Sequence, residues 1–447
     1  MQVNTMNEKN AKKVVMEHLI VPYMEKVPKY IGTEIETVFF SLEGKKNNKE
    51  VMCEAFDYMI AHYGFHKAIV GSDGYTVRIE NGKDSISADY SYEVLEFSMG
   101  ASKDIHDIQA RFHSYAKPLA AFLKEKGYLF TGMGSNLFHT GFSDDSQYTH
   151  DPFYNKVREY VCTYTEHKDV SAFYTLMAST QSHLDVKGED LLKTYNLFQK
   201  LEFVRGLLLA NSLPNRPAMH KSVTCPESLL CVRDIIWDTQ GLPNTGVVEQ
   251  DFSSIEELAD HYANLKVFIR AGENGLEVFE PVSLNDYFAD ETRMPEGLAT
   301  FRSFEHVVLN NYHALEVRSD CTQPLRDAFA PLAFNLGISE MAEAAEEAVN
   351  TFLKDNQLPQ NNAQLRQMAI TDQPIAEASA MNAFLMQLYE IAKAGLEKRN
   401  LGEEVYLSCL RERIESGIYS PAKRMKKMLE EGRTLTEIAC MYAELEA

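Results

Sequence analysis

Four apolar segments each carry two polar side chains separated by one residue, of types that hold metal ions and phosphates. They are Glu34 and Glu36 in IGTEIETVFF, Glu96 and Ser98 in YEVLEFSMG, Gln181 and His183 in STQSHLDV, and Glu316 and Arg318 in HALEVRSD. A β-strand sends alternate side chains to opposite faces, so each pair projects from one face. Taken singly, each pair fits a half-solvated antiparallel strand. Four together predict a common sheet surface bearing carboxylates, one imidazole and one guanidinium. Ile35, Leu95, Phe97, Leu184 and Val317, at the alternate positions in or beside the pairs, are apolar and predict a packed opposite face. Buried acids are costly without partners. Hard divalent cations are suitable partners, because Mg²⁺ takes oxygen ligands while keeping waters and substrate phosphates.

The elements that must position these residues follow from the hydrophobic pattern. β-like runs at 31–40, 74–80, 85–98, 175–186, 265–270 and 312–318 are interleaved with helical patterns at 102–126, 190–211 and 254–264, which predicts an α+β fold rather than alternating βαβ units. Beyond residue 325 the pattern is helical over 325–354, 375–399, 402–416, 420–431 and 434–446. Ser420 and Pro421 open one of these helices and Gly432 closes it. The expected division is a domain of residues 1–325 and a helical extension, 326–447, packed on it.

Composition excludes several classes. The 447 residues, 45% hydrophobic, can bury a large core, and 44 Lys+Arg against 65 Asp+Glu give a formal charge of −21. That charge disfavours nonspecific binding to nucleic acid or an anionic membrane. The segment MQVNTMNEKNAKKVVMEHLIVPYMEK has no sustained apolar region, and no apolar run reaches about 18 residues; the expectation is a cytoplasmic protein with small-molecule partners. Seven scattered cysteines (53, 162, 225, 231, 321, 409, 440) without a CxxC pair argue against a zinc site or disulfide framework. Gly132-Met133-Gly134 lacks a third glycine for a dinucleotide fingerprint and predicts a turn. Lys45, Lys46 and Lys49, placed in a loop, and Lys423, Arg424, Lys426 and Lys427, placed on a helix, read as solvated faces. The stretches 43–49 and 241–246 are expected to be able to move.

GTEIET, EVLEFS, QSHLD, ANSLP and LEVRSDCTQP, in this order, resemble the glutamate–cysteine ligase family over roughly residues 30 to 325. The resemblance implies a glutamine-synthetase-like fold, with a curved antiparallel sheet forming an open funnel flanked by helices. It also implies ATP-dependent amide formation on the γ-carboxylate of glutamate, with L-cysteine as the amine, as in glutathione-type biosynthesis. A carboxylate does not react usefully with an amine at neutral pH, so the γ-phosphoryl of ATP is first transferred to it, giving an acyl phosphate. Such transfer depends on positioning and charge neutralisation.

The same resemblance implies residue roles. Glu34, Glu36, Glu96, His183 and Glu316 are magnesium ligands, for roughly two or three ions with manganese as a substitute. Gln181, Glu96 and Arg318 lie on the nucleotide side, and Arg318 stabilises the transferring phosphoryl group with Glu34 as its catalytic companion. Arg233, in CVRDIIWD before the single tryptophan Trp237, holds a glutamate carboxylate. Asp89, at a family spacing before Glu96, lies toward the substrate.

The sequence departs from the family at two positions. Asn244 stands where many relatives carry the arginine of Arg-Thr-Gly, so a cation is missing, and Cys321 stands where an aspartate is usual. Both point to a changed substrate subsite, with Cys321 among its residues. The alternatives are therefore a divergent carboxylate–amine ligase using another amine or acid, and a catalytically idle paralogue that binds nucleotide or metabolite.

Overall fold

The computed structural model describes residues 11–139, 148–166, 176–217, 219, 223–239, 241–290, 293 and 298–446. The start of the N-terminal segment and residue 175 of the expected 175–186 run lie outside them. Among the described residues nine strands form the main sheet: β1 (Ile31–Ser41), β2 (His66–Val70), β3 (Thr76–Asn81), β4 (Asp84–Ala88), β5 (Val94–Ser102), β6 (Tyr128–Thr131), β7 (Thr180–Leu184), β8 (Val307–Leu309) and β9 (Leu315–Val317). Their order is β8-β9-β7-β1-β5-β4-β3-β2, with β6 also paired to β1. Every pairing in this sheet is antiparallel.

β1 is central, and its sequence explains where the site lies. Ile35 and Phe39 face the principal core, with Leu95, Phe97 and Phe130 from β5 and β6 and with Leu184 and Val317. On the other face, Val38 and Phe40 belong to a second apolar cluster that includes Met133, Leu176 and Cys231. Glu34 and Glu36 precede them on that second face. One strand therefore passes from polar to apolar on a single side, and the acids stand where this face opens.

The long helix Ile105–Glu125 backs the sheet through Ile108, Phe112, Leu119 and Leu123; its N-cap Asp104 accepts from the Asp107 amide at 2.8 Å. The helices after residue 325 share the principal core: Leu332, Phe334 and Leu388 are fully or almost fully buried in it. Ala330–Glu340 and Ala378–Arg399 cross so closely that a Cβ on Gly337 would lie 2.1 Å from the Ala392 carbonyl oxygen, and one on Gly395 would lie 2.0 Å from that of Gly337. Only glycine permits that approach.

Several boundaries differ from the sequence reading. Lys49 lies in the first turn of a helix, Asn48–Tyr63, where a loop was expected. Val51, Met52, Ala55, Phe56 and Met59 bury that helix, and Lys49 pairs with Asp73 beside the Tyr75 ring. The 402–416 stretch is a 3₁₀ turn, Glu403–Leu407, leading into Ser408–Ser416, and a further helix, Asn362–Ile370, stands between the expected ones. Gly132 and Gly134 make close chain crossings: the Gly134 amide donates to the Asn211 carbonyl at 3.0 Å, and a Cβ on Gly132 would meet the Gln323 carbonyl at 1.9 Å. Ser420 caps the helix Pro421–Glu430 as expected, accepting from the Lys423 amide. Among the described residues, no helix is long and apolar enough to cross a membrane.

Candidate functional site

Register brings the four polar pairs together. Glu34 lies opposite Ser98 on β5 and Gln181 on β7, Glu36 opposite Glu96, and Glu316 opposite His183. Glu34, Glu36, Glu96, Ser98, Gln181, His183 and Arg318 line the floor of a cleft of about 800 Å³, and Glu316 is held against it through Arg318. The other wall is aromatic, with Tyr90, Phe153, Tyr154, Trp237 and Phe304, and it carries Arg233 and Arg302.

Two electrical environments divide the floor. At one end, single carboxylate oxygens of Glu36, Asp89 and Glu96 all lie within 4.8 Å of one another. Burial and the charge of Asp89 push Glu36 up to about 7, against the pull of Arg233 and the bonds from Ser179. Glu96 is also raised well above its ordinary value, by burial and by the charges of Glu34, Asp89 and Glu36. Burial also raises Asp89, although Tyr154 donates to it. At the other end burial is outweighed: Arg318 donates to Glu316, holding that carboxyl below its ordinary range, and Glu316 and Glu34 hold the Arg318 guanidinium up.

Neighbouring groups fix the orientations. The Ser179 amide and hydroxyl donate to the two oxygens of Glu36 at 2.7 and 2.9 Å, and Gln181 Nε2 donates to Oε1 at 2.9 Å. Ser98 donates to Glu96. His183 stands between two acids, its Nε2 3.4 Å from Glu34 and its Nδ1 3.9 Å from Glu316. Burial works to lower its pKa, but the bond to Glu34 and the charge of Glu316 prevail and raise it. Asn310 donates to Glu316 at 3.0 Å and lies 3.0 Å from His183 Nδ1.

A hard cation fits this donor set. Three carboxylates gather at one point, and burial together with their mutual repulsion raises all three toward the protonated form. Two buried polar atoms on the same floor, Gln181 Oε1 and Arg318 Nε, have no hydrogen-bond partner among the described residues. A polar, phosphate-bearing ligand supplies partners for both kinds of group.

Arg233, Asp89 and Gln181 all line the cleft, and the Arg233 guanidinium lies 5.2 Å from the Trp237 ring centroid. Cys321 does not line it. It is 1% exposed and lies in the second apolar cluster, its Sγ 3.5 Å from Cys231 Sγ and 3.4 Å from Ser212 Oγ. The chain leaves the β9 alternation after Val317, so counting along the strand no longer predicts direction at position 321. The 241–246 stretch is tied down: Asn244 bonds Lys266 and Arg302, and Thr245–Gly246 pairs in parallel with Phe304–Glu305.

Sequence reading missed Ser179, Tyr154, Asn310 and Arg302. Extending the Gln181/His183 alternation backwards by one step points to Ser179. Tyr154 and Arg302 come from the far wall and carry no local signal.

No family model matches the chain. The chain is 23% identical over 417 residues to the chloroplastic glutamate–cysteine ligase of Medicago truncatula, a match covering 89% of this chain and 78% of that protein. Among solved structures it resembles a bifunctional glutathione synthetase from Pasteurella multocida, with a TM-score of 0.56 and 13% identity over 97% of this chain. It spans 54% of that chain's length. A glutamate–cysteine ligase from Francisella tularensis, solved with AMP, gives a TM-score of 0.47 at 10% identity, covering 94% of this chain and 88% of that one.

Proposed function

We propose that the chain is an ATP-dependent, amide-bond-forming carboxylate–amine ligase, acting on the γ-carboxylate of glutamate, with L-cysteine as the best-fitting amine. The observation that carries this reading is the meeting of the four strand pairs on one sheet face, with a carboxylate cluster at one end and the Glu316–Arg318 pair at the other. The catalytic unit is residues 1–325, a glutamine-synthetase-like sheet opening as a funnel, with 326–447 packed on it.

Glu34, Glu36, Glu96, His183 and Glu316 would hold the magnesium, and Asp89, with a carboxylate oxygen within 4.8 Å of those of Glu36 and Glu96, would join them. Bound there, magnesium neutralises phosphate charge and orients the transferring group. Arg318 presents a fixed fork of donors to the γ-phosphoryl while Glu316 holds its orientation. Arg233 holds a carboxylate of the donor substrate against Trp237. A γ-carboxylate oxygen attacks the γ-phosphorus and ADP leaves; the amine nitrogen then attacks the acyl carbon, and inorganic phosphate leaves. The aromatic wall limits water at the acyl phosphate.

The test is phosphate release by the purified protein with MgATP and L-glutamate, with and without L-cysteine, and mass spectrometry of products across a panel of amino acids and amines. Release that requires both substrates and yields γ-glutamylcysteine supports the full reading. Glutamate-dependent release with another amine supports the divergent ligase, the reading favoured by Asn244. No turnover with any pair overturns the assignment and favours a binding protein.

A further inference from the structure

The cleft wall holds an arginine for which the assigned chemistry has no use. Arg302 lines the cleft with Arg233 and Arg318. Its Nη1 donates to the carbonyls of Ala299 and Phe301 at 2.8 and 2.7 Å, and its guanidinium lies 5.1 Å from the Phe153 ring centroid. The carbonyl bonds and the ring fix the head group but leave it without an anion: among the described residues Arg302 makes no ion pair. Its side chain remains open to solvent and so accessible to a ligand, and the protein packed around it holds its pKa below the ordinary value.

The backbone beneath Arg302 is held on purpose-built contacts. Asn244, in the left-handed region at φ 57°, donates from Nδ2 to the carbonyls of Lys266 at 2.8 Å and Arg302 at 3.1 Å. Its Oδ1 accepts from the Lys266 amide at 2.7 Å, and its own carbonyl accepts from the Phe304 amide at 2.7 Å. Asparagine tolerates that backbone conformation better than most residues. Phe304 packs on Trp237, 5.3 Å between ring centroids, and Trp237 packs on Arg233. The two arginines are therefore mounted on one aromatic wall, and Arg233 also makes no ion pair among the described residues.

We infer that Arg302 is a substrate-binding residue that grips a second, non-reacting carboxylate, supplying from the 299–304 segment the cation that the sequence lacks at position 244. This inference rests on the ligase reading. The guanidinium fork suits a carboxylate, and an acidic chain leaves few cations free for other duties. Two sources offer the group: the α-carboxylate of the donor amino acid and the carboxylate of an amino-acid acceptor.

The experiment compares wild type, Arg302→Ala and Arg302→Lys in steady-state turnover with L-glutamate and either L-cysteine or cysteamine, which lacks the carboxylate. Fluorescence of Trp237, the single tryptophan, reports L-glutamate binding without turnover. If Arg302 holds the donor, Arg302→Ala raises the KM for glutamate about 10- to 100-fold and weakens the fluorescence titration equally. If it holds the acceptor, the KM for cysteine rises to that for cysteamine, which itself does not move. In either case the KM for ATP stays within about twofold and Arg302→Lys is intermediate, which separates a lost contact from a damaged fold. A wild type that turns over while Arg302→Ala leaves the KM values for glutamate and cysteine unchanged overturns this inference alone. A wild type with no turnover overturns the ligase reading as well.

Discussion

Gln181 Nε2 donates to Glu36 Oε1 at 2.9 Å, although the strand register sets Gln181 opposite Glu34. The diagonal reach ties the amide to the acid cluster, and it leaves Gln181 Oε1 buried with no partner among the described residues. Glu36 is thus the most heavily supported acid of the floor, held by Ser179 and Gln181 together.

Glu36→Gln should therefore be close to inactive. Loss of a group that merely supports a metal ligand typically costs about 10- to 100-fold, so if Glu36 is a ligand, as proposed, its loss should exceed about 100-fold in kcat/KM. Assay at saturating Mg²⁺ checks this, with an unchanged circular dichroism spectrum as the folding control.

Metal removal should act on stability as well as turnover. The Glu36, Asp89 and Glu96 carboxyls repel one another, so Mg²⁺ binding to the folded form should raise the thermal midpoint by mass action. EDTA should abolish phosphate release, and Mg²⁺ should restore it. A thermal scan in which Mg²⁺ raises Glu96→Gln as much as wild type would place the ion elsewhere.

Arg318→Lys should lose about 10³-fold in kcat with little change in the KM for ATP. The lysine keeps the charge but not the fork that Glu316 orients. Single-turnover measurement of acyl-phosphate formation checks whether the phosphoryl step is the one that slows.

Cys321→Asp should destabilise the fold and leave the amine preference unchanged. Cys321 is buried in apolar surroundings beside Cys231, which itself donates to Asp234 at 3.2 Å. A new unpaired carboxylate there costs several kcal/mol, on the order of the ~3–5 kcal/mol lost when a buried pair is broken. Denaturant unfolding gives the cost, and a substrate panel at low temperature gives the preference.

Acid should unfold the protein through a second charged centre, behind the site. Arg366 donates to both oxygens of Asp234, at 2.7 and 3.1 Å, while His306, Ser319 and Arg205 surround Glu202. Burial opposes ionisation, but Arg205 and His306 hold Glu202 well below the usual carboxylate range, and Arg366 holds Asp234 below its ordinary value. A carboxyl whose folded pKa is depressed adds stability that is present above its unfolded value, about 4. That stability drains away as pH falls through the lower folded value. The thermal midpoint should drop below about pH 4, less steeply in Glu202→Gln, and Arg366→Ala should cost about 3–5 kcal/mol at neutral pH.

The sequence by itself determined which side chains share a face. Period-two alternation is a property of the backbone, so Glu34 with Glu36 and Glu316 with Arg318 could be read along the chain, as could the apolar partners Ile35, Phe97 and Val317 that turn the acids toward one side. It also carried helix punctuation at Ser420 and Pro421, because capping is local. Only the tertiary structure decided which faces meet. Asp89 joins Glu36 and Glu96, Arg302 reaches the cleft from the opposite wall, and Arg366 arrives 132 positions after the aspartate it binds. Cys321 turns into the core because the strand ends before it. Strand order, chain crossings and the ends of strands are settled by burying a shared core across long sequence separations, and no local period records that choice.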